Sequence, residues 1–305
     1  MTFLKIFVLA FTIIILLSSS TFIWAKYASP LLVLDMRDKL EFPKHFRTSS
    51  DHIAANINLT GLADLHIAGS GQFSNLALQK IRQHLQAKEL TIIDLRQESH
   101  GFLNENAISW YGTANADNVG LTDDQIRKKQ ALFLSALSQQ KTISVYNIIK
   151  KTPAYKIASA KPEKFSVQNV MSEAELAKKL ALNYQRIFVQ DYHAPTDEQV
   201  DRFVEIVKQL PANQWIYFHC RAGVGRSTTF MAMYDMMRNA KHVEFDDILQ
   251  RQAALGGKDL TAFPAAGSHK YQSAVDRLIF LEKFYEYALK NTDNFNTKWS
   301  DWGDN

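Results

Sequence analysis

The most informative segment of the chain reads Ile216-Tyr217-Phe218-His219-Cys220-Arg221-Ala222-Gly223-Val224-Gly225-Arg226-Ser227. An apolar run typical of a buried strand precedes Cys220, the only cysteine, and a glycine-containing turn and a predicted helix follow it. In this order the thiol lies at the start of a loop whose backbone N–H groups can point inward. The N-terminus of the following helix adds partial positive charge. The segment therefore predicts an anion-binding loop that carries a nucleophile.

This loop has the chemistry that a phosphate monoester requires. The ester is a dianion, and the loop amides together with a bidentate Arg226 guanidinium can donate to its three oxygens. The same positive field stabilises a thiolate at Cys220, the nucleophilic form of cysteine. A small buried cysteine beside a glycine turn is the alternative, but the strand–loop–helix order favours a cysteine-dependent phosphatase that forms a phosphocysteine. The loop positions expected to bind substrate are Arg221, Ala222, Gly223, Val224 and Gly225.

Three further polar residues are candidates for the catalytic site. Ser227 can donate to the sulfur of Cys220 and ease its departure, or it can cap the following helix. We expect His219 to hydrogen-bond within the loop, with an ordinary core histidine as the alternative. Asp191 follows a predicted strand at residues 186–190 and is the expected general acid, which in its deprotonated form activates water. Its alternative role is a turn aspartate that caps locally.

The elements along the chain predict an α/β fold. Three capping boxes predict helix starts, namely Thr122-x-x-Gln125, Ser172-x-x-Glu175 and Thr196-x-x-Gln199. Apolar or alternating runs predict strands at residues 62–68, 90–95, 142–149, 186–190 and 215–218, whereas residues 26–60 are expected to be irregular. Strands that alternate with helices favour a sheet with parallel members, whose functional loops lie at the carboxyl ends of the strands.

The N-terminus has the pattern of a secretory signal. Lys5 precedes an apolar run at residues 6–17, serines follow, and Ala25 is the expected cleavage position, with Ala28 as the second choice. We therefore expect a signal peptide at residues 1–25, a phosphatase domain at 26–290 and a loosely held polar tail at 291–305. Cleavage predicts an exported protein, periplasmic or secreted, with no membrane contact. An uncleaved anchor is the alternative, because residues 3–24 could just span a bilayer.

Charge and cysteine content argue against several other classes. The formal net charge is +4 and falls to +3 without Lys5, which is too small a bias to indicate nucleic-acid binding. A single cysteine allows no internal disulfide, and zinc-type Cys/His spacing is absent, so neither a metal nor a cofactor is expected. Gly69-Ser70-Gly71 resembles a dinucleotide loop but lacks its third glycine.

Beyond the cysteine loop, the chain resembles the protein-tyrosine-phosphatase-like phytases, bacterial cysteine phosphatases of the protein tyrosine phosphatase superfamily. The matching segments are Phe46-Arg47-Thr48, Asp94-Leu95-Arg96-Gln97-Glu98-Ser99-His100-Gly101, Ser109-Trp110-Tyr111-Gly112, Asp191 with Pro195-Thr196, the loop His219 to Ser227, and Arg251-Gln252 followed by Gly256-Gly257. The resemblance implies a protein tyrosine phosphatase fold, in which helices flank a central sheet and a small, partly β lobe is added. It also implies stepwise, metal-independent removal of phosphates from inositol phosphates in a shallow electropositive pocket.

The resemblance also implies roles for residues outside the loop. Arg47 matches an arginine that contacts substrate phosphate, and Lys270 and Arg277 fall where the family has two lysines. An ordinary solvated basic face is the alternative for the last two. Tyr192 stands where these phytases usually have a phosphate-binding histidine, and Arg221 stands where glutamate is frequent. These departures leave open the preference for fully phosphorylated inositol.

Three functional hypotheses follow. The first is an exported inositol-polyphosphate phosphatase, and the second is a phosphatase acting on phosphotyrosine in proteins, which would use the same catalytic residues. The third is a non-catalytic module that binds phosphoinositides or phosphoproteins. The combination of Asp191, Cys220 and Arg226 argues against the third, because a pure binder has no use for a general acid.

Overall fold

The structure, a computed structural model, describes residues 30–53, 56–211 and 213–302. The predicted signal peptide lies outside these residues. Eleven strands occur in the described part of the chain: β1 (Leu31–Met36), β2 (Arg47–Thr48), β3 (Ile67–Ser70), β4 (Leu90–Asp94), β5 (His100–Leu103), β6 (Asn106–Tyr111), β7 (Thr142–Lys151), β8 (Ile157–Ser166), β9 (Val170–Met171), β10 (Asn183–Arg186) and β11 (Trp215–His219). The helices of the same part are α1 (Asn75–His84), α2 (Asp123–Ser138), α3 (Glu173–Lys179), α4 (Asp197–Lys208), α5 (Gly225–Asn239), α6 (Phe245–Ala254), α7 (Tyr271–Lys290) and α8 (Trp299–Trp302).

The strands form two sheets. One has the order β10-β4-β11-β3-β2 and is parallel except for the short edge strand β2. The other has the order β8-β7-β1-β6-β5-β9 and is largely antiparallel. The predicted α/β class, with a sheet flanked by helices and an additional β-rich lobe, is therefore confirmed.

Helices cover both faces of the parallel sheet. Because successive side chains of a strand point in opposite directions, each strand contributes buried residues to both faces. On β11, Ile216 and Phe218 pack with residues of α4, α5, α6 and α7. Tyr217 lies between them in sequence and packs on the opposite face with residues of α1 and α3. This double burial explains why the run before Cys220 is apolar without alternation. Along residues 30–302, outside the two short gaps, no helix has the length and apolar character needed to cross a bilayer.

The three capping boxes start helices as predicted. Thr122, Ser172 and Thr196 are the N-caps of α2, α3 and α4. Thr122 and Ser172 form both reciprocal hydrogen bonds with the Gln or Glu three residues later, and at Thr196 the backbone N–H donates to Gln199 Oε1 at 3.1 Å. These contacts satisfy N–H groups that a helix start leaves without partners. Local chemistry therefore located these helix starts correctly.

Some predicted strand positions were wrong. The strand expected at 186–190 ends at Arg186, and the buried residues 187–189 continue as irregular backbone, in which Ile187 N still donates to Asp94 O at 2.9 Å. The strand expected at 62–68 begins at Ile67, because residues Ala63–Leu65 form a 3-10 turn. Residues 26–60 are not entirely irregular, since β1 occupies the middle of the β-rich sheet. In each case hydrogen bonds to a distant strand, which local composition does not reveal, decide whether an apolar run joins a sheet.

The C-terminal segment, as far as residue 302, is packed rather than loosely held. Trp299 is buried against Phe280, Phe284 and Tyr287, and its Nε1 donates to Asp197 Oδ1 at 2.6 Å. The polar composition of this segment led to the expectation of a loose tail, but its tryptophans bury enough apolar surface to hold it.

Candidate active site

The candidate site lies where three parallel strands end. In the register of the sheet, His219 of β11 stands beside Ser70 of β3 on one side and Asp94 of β4 on the other. Cys220 follows immediately and is 2% exposed. Because the carboxyl ends of parallel strands meet at one edge, residues 70–72, 94–98 and 220–227 come together.

Gly223 has a conformation that only glycine fits well. Its φ is +76°, and a Cβ atom at this position would lie 2.2 Å from the Gly71 nitrogen. The loop is thus pressed against the end of β3, where Gln72 N also donates to Arg221 O at 3.2 Å. This fold of the loop brings Gly223 N to 3.2 Å from Cys220 Sγ, where it donates a hydrogen bond.

Ser227 lies beside the sulfur and does not cap the helix. Its Oγ lies 3.3 Å from Cys220 Sγ and 3.2 Å from Ser70 O, and its single hydroxyl proton can be donated to either acceptor. Helix α5 already begins at Gly225 with Val224 as its N-cap, so the alternative role as N-cap is wrong. Two donors therefore contact the sulfur, and donors of this kind stabilise a thiolate.

Arg226 is buried at the loop and held by Glu98. Its Nη1 is 2.8 Å from Glu98 Oε2 and its Nη2 is 3.0 Å from Glu98 Oε1. Burial opposes the charge, but Asp191 and Glu98 raise the pKa of Arg226 above its usual range. Within the described part of the chain its Nε has no hydrogen-bond partner. The guanidinium therefore stays charged and keeps a donor available for an anion.

Asp191 lies next to this guanidinium. Its Oδ1 is 3.2 Å from Arg226 Nη2, and its Oδ2 accepts from Asn115 Nδ2 at 3.2 Å. The side chain is 21% exposed, whereas Arg226 is almost fully buried. Oδ1 also accepts from the Tyr192 amide at 3.1 Å, so local capping occurs as well. The carboxyl group is therefore both fixed and accessible beside the cysteine loop.

His219 does not hydrogen-bond within the loop, and this expectation was wrong. Its Nε2 lies 2.6 Å from Glu173 Oε1 at the start of α3. Because side chains alternate along β11, His219 points to the opposite face of the sheet from Phe218. There it joins Asp94, His100 and Glu173 in a buried cluster.

This cluster contains side chains that could ligate a metal ion. One ligand atom from each of Asp94, His100 and Glu173 lies within 4.8 Å of the others. Arg186 Nε, however, lies 3.1 Å from Asp94 Oδ2 and already supplies positive charge. The cluster is buried on the face of the sheet opposite to Phe218, so we interpret its role as structural.

Arg47 was expected to contact substrate phosphate, and its position contradicts that role. The side chain is buried, its Nη1 donates to Gly223 O at 2.9 Å, and its Nη2 donates to Thr228 Oγ1 at 2.9 Å. Burial lowers the pKa of Arg47 to about 10. Arg47 therefore supports the loop from behind, and it reaches the substrate only through the backbone that it holds.

The rim of the site is basic and aromatic. Arg277 is buried beside Gly225, and Lys270 Nζ lies 3.8 Å from the Tyr155 ring centroid and 4.0 Å from that of Tyr192. Arg221 donates from Nε to Asp35 Oδ1 at 2.8 Å. The expected rim residues Arg221, Tyr192, Lys270 and Arg277 are thus all near the loop, although Arg221 is held by a buried carboxylate.

Several residues of the site were missed in the sequence. Lys151 Nζ lies 4.1 Å from the Tyr111 ring centroid, and burial together with Arg221 lowers the pKa of Lys151 to about 8. Glu98 and Asp35 are buried carboxylates that orient Arg226 and Arg221. Glu98 belongs to the segment 94–101 that carried the family resemblance, which was the available signal. Nothing local distinguishes Lys151 from its exposed neighbour Lys150.

The chain is similar to several known proteins. Residues 93–238 match a family model described as PTP-like phytase, inositol hexakisphosphate. A PTP-like phytase from Bdellovibrio bacteriovorus is 31% identical with a TM-score of 0.71, covering 90% of this chain and 95% of that one. The tandemly repeated protein tyrosine phosphatase like phytase from Mitsuokella multacida is 35% identical with a TM-score of 0.82, covering 92% of this chain and 50% of that one.

A further relative is the effector protein hopD2 of Pseudomonas syringae pv. tomato. It is 30% identical over 277 residues, which are 87% of this chain and 58% of that protein. The chain thus spans about half the length of hopD2 and of the Mitsuokella protein.

Proposed function

The chain belongs to the family of protein-tyrosine-phosphatase-like phytases, and on this basis we propose that it hydrolyses phosphate monoesters of inositol polyphosphates through a phosphocysteine. The observation that carries the proposal is the environment of the sulfur. Gly223 N and Ser227 Oγ contact Cys220 Sγ, while the Arg226 guanidinium and the Asp191 carboxyl group lie 3.2 Å apart beside it. A nucleophile, an anion binder and an acid therefore occupy one site.

In the first step the Cys220 thiolate attacks phosphorus and the bond from phosphorus to the ester oxygen breaks. Asp191, protonated in this step, gives its proton to the departing alkoxide. Arg226 and the loop amides hold the three phosphoryl oxygens, where negative charge has to be stabilised. The products are the free alcohol and a phosphocysteine.

In the second step water attacks the phosphocysteine and the sulfur–phosphorus bond breaks. The Asp191 carboxylate takes a proton from the water, and Ser227 donates a hydrogen bond to the leaving thiolate. Inorganic phosphate leaves and the enzyme returns to its starting protonation state. Every step uses groups of the chain, and we propose that no metal takes part.

The rim supports a substrate with several phosphates. A groove of about 630 Å³ opens beside the loop, and its lining includes the cations Arg37, Lys44, Lys151 and Arg221 as well as Asp35 and apolar side chains. Arg277 adds positive charge beside Gly225. A polyanion gains from each of these contacts, whereas a single phosphotyrosine phosphate occupies only the loop.

A solved structure of the PTP-like myo-inositol phosphatase from Mitsuokella multacida supports this substrate class. That protein is in complex with myo-inositol-(1,3,4,5)-tetrakisphosphate, and it is 34% identical to this chain with a TM-score of 0.82. A phosphotyrosyl protein is the second candidate, because the rings of Tyr111, Tyr155 and Tyr192 surround the rim and could contact an aryl group. A module that only binds such ligands is the least favoured, since it has no need for Asp191.

The test compares phosphate release from inositol hexakisphosphate and from a phosphotyrosyl peptide, with a chelator present. We expect turnover of the inositol phosphate, no effect of the chelator, and loss of turnover with retained binding in Cys220→Ser. Turnover of the peptide alone would establish the second candidate instead. Wild-type rates in Cys220→Ser would refute the phosphocysteine.

We also propose export, with cleavage after Ala25. The supporting observation is the order of Lys5, the apolar run and the small residues before Ala25. Mass spectrometry of the mature N-terminus after expression in a bacterial host tests this. An intact N-terminus in the cytoplasmic fraction would contradict it.

A further inference from the structure

Four residues near Asp191 have left-handed backbone conformations. They are Ala114, Asn115, Tyr155 and Tyr192, with φ of 52°, 62°, 58° and 71°. Of these, Asn115 Nδ2 and the Tyr192 amide donate to the Asp191 carboxyl group. A non-glycine residue in this region is sterically disfavoured, so surrounding contacts must hold it. Strain of this kind collects at functional sites, which makes those contacts informative.

Lys270 holds two of these residues through its ammonium group. Lys270 Nζ is 3.8 Å from the ring centroid of Tyr155 and 4.0 Å from that of Tyr192, and the two ring centroids are 5.7 Å apart. The ammonium therefore contacts both rings. We call Tyr155, Tyr192 and Lys270 the tyrosine clamp. It joins the turn between β7 and β8, the loop that carries Asp191, and the start of α7.

The turn at Tyr155 is also linked to the Asp191 carboxyl group indirectly, through Ala114 and Asn115. Tyr111 Oη donates to Tyr155 O at 3.0 Å, and Ala114 N lies 3.4 Å from the same oxygen. The neighbouring Asn115 Nδ2 donates to Asp191 Oδ2. The Asp191 carboxyl group thus accepts hydrogen bonds from Asn115 on one side and from the backbone of the next residue, Tyr192, on the other.

We infer that the tyrosine clamp positions Asp191 for proton transfer, and that Lys270 acts through Tyr192 rather than as a phosphate ligand. This rests on the proposed function, in which Asp191 is the general acid. A cation–π contact is attractive, and more strongly so when it is shielded from water, so it can offset the backbone strain at Tyr192. Loss of the clamp releases Tyr192 and shifts the adjoining carboxyl group, and a shift of about 1 Å can slow a step about 100-fold.

The test measures kcat for p-nitrophenyl phosphate and for phenyl phosphate. Both esters carry one phosphate, so Lys270 has no second phosphate to bind. The departure of phenolate, the more basic leaving group, depends strongly on a proton donor, whereas the departure of p-nitrophenolate does not. We expect Lys270→Met, Tyr192→Leu and Asp191→Asn all to lower the ratio of phenyl to nitrophenyl rates, by about 10-fold to 100-fold. The double variant of Lys270→Met and Tyr192→Leu should be no worse than either single one, because both remove one contact.

Two matched variants separate the clamp from general damage. Tyr192→Phe keeps the ring and should retain the wild-type ratio. Lys80 lies on α1, and its Nζ is 4.5 Å from the ring centroid of Phe42. Lys80→Met removes this other ammonium–ring contact and should also retain the wild-type ratio.

Three outcomes would overturn the proposed role of the tyrosine clamp. The first is a wild-type ratio in Lys270→Met and Tyr192→Leu. The second is an equal loss on both esters. The third is a raised KM for inositol hexakisphosphate in Lys270→Met with both phenyl ester rates unchanged, because Lys270 would then be a phosphate ligand. A wild-type protein inert towards all three esters would instead overturn the proposed function, and the clamp's role with it.

Discussion

Arg226 and Glu98 form a two-point ion pair, with Nη1 2.8 Å from Oε2 and Nη2 3.0 Å from Oε1. Both side chains are 1% exposed, so water does not screen the pair. Nη1 also donates to the carbonyl oxygens of Leu95 and Val189 at 3.1 and 3.0 Å. These contacts fix the plane of the guanidinium and leave its Nε as a donor on the remaining side.

Replacement of Glu98 by glutamine should therefore disable the site. Removing one charge from a buried pair costs about 3–5 kcal/mol of stability and lets the guanidinium rotate. We expect kcat/KM to fall about 100-fold or more, a loss of about 3 kcal/mol in transition-state stabilisation. Urea unfolding and phosphate release measure the two effects. Glu286→Gln removes an exposed pair with Lys290 and is the control; equal behaviour of the two variants would disprove the role of Glu98.

Gly223→Ala tests the close approach of the cysteine loop to β3. Its Cβ would overlap the Gly71 nitrogen, so the loop must move and we expect activity to fall at least about 100-fold. Gly120→Ala is a matched control, because Gly120 has φ +82° but open space around its Cβ position. It should cost about 1–2 kcal/mol of stability from backbone strain and leave activity unchanged. Retained activity in Gly223→Ala would show that the loop adapts.

Lys151 should bind the polyanionic substrate in a pH-dependent way. Because its pKa is lowered to about 8, its charge is present below this pH and lost above it. The ratio of wild-type to Lys151→Met kcat/KM for inositol hexakisphosphate should be about 10-fold or more at pH 6, from one lost charged contact, and approach one above pH 9. Lys150→Met, at the exposed neighbouring position, should match the wild type. A ratio that does not change with pH would exclude this role.

The buried cluster around Glu173 should make stability fall in acid. Burial by itself would raise the pKa of Glu173, but His219 lowers it from 4.5 to about 2, and the pKa of Asp94 is also lowered. A depressed carboxyl pKa contributes stability that is present above the unfolded pKa and lost as pH falls through the folded one. The urea midpoint should therefore drop between about pH 4.5 and 2.

Glu173→Gln should reduce this dependence and lower stability at pH 6, because His219 loses its partner. Glu286→Gln provides the comparison, since its carboxylate pairs only at the surface. A urea midpoint that stays constant down to pH 2.5 in the wild type would contradict the assignment.

The features that could be predicted from the chain are those set by near neighbours. The loop from Cys220 to Arg226 needs a strand, glycines and a helix start within a dozen residues, and all of them are adjacent in sequence. The capping boxes at Thr122, Ser172 and Thr196 involve residues three positions apart. Apolar runs likewise predicted β4 and β11, two neighbouring strands of the parallel sheet. Short-range sterics and hydrogen bonds govern these features, so composition and spacing were sufficient.

The partners of the charged side chains followed instead from the arrangement of the sheet. His219 and Glu173 are 46 positions apart, Arg226 and Glu98 are 128 apart, and Arg47 and Gly223 are 176 apart. Which lysine lies at the rim depends on which face of β7 meets the loop. A buried charge takes whichever opposite charge or carbonyl the packed chain places beside it, because leaving it unpaired costs several kcal/mol, on the order of 3–5. Such pairings are properties of the assembled fold and leave little trace in the local sequence.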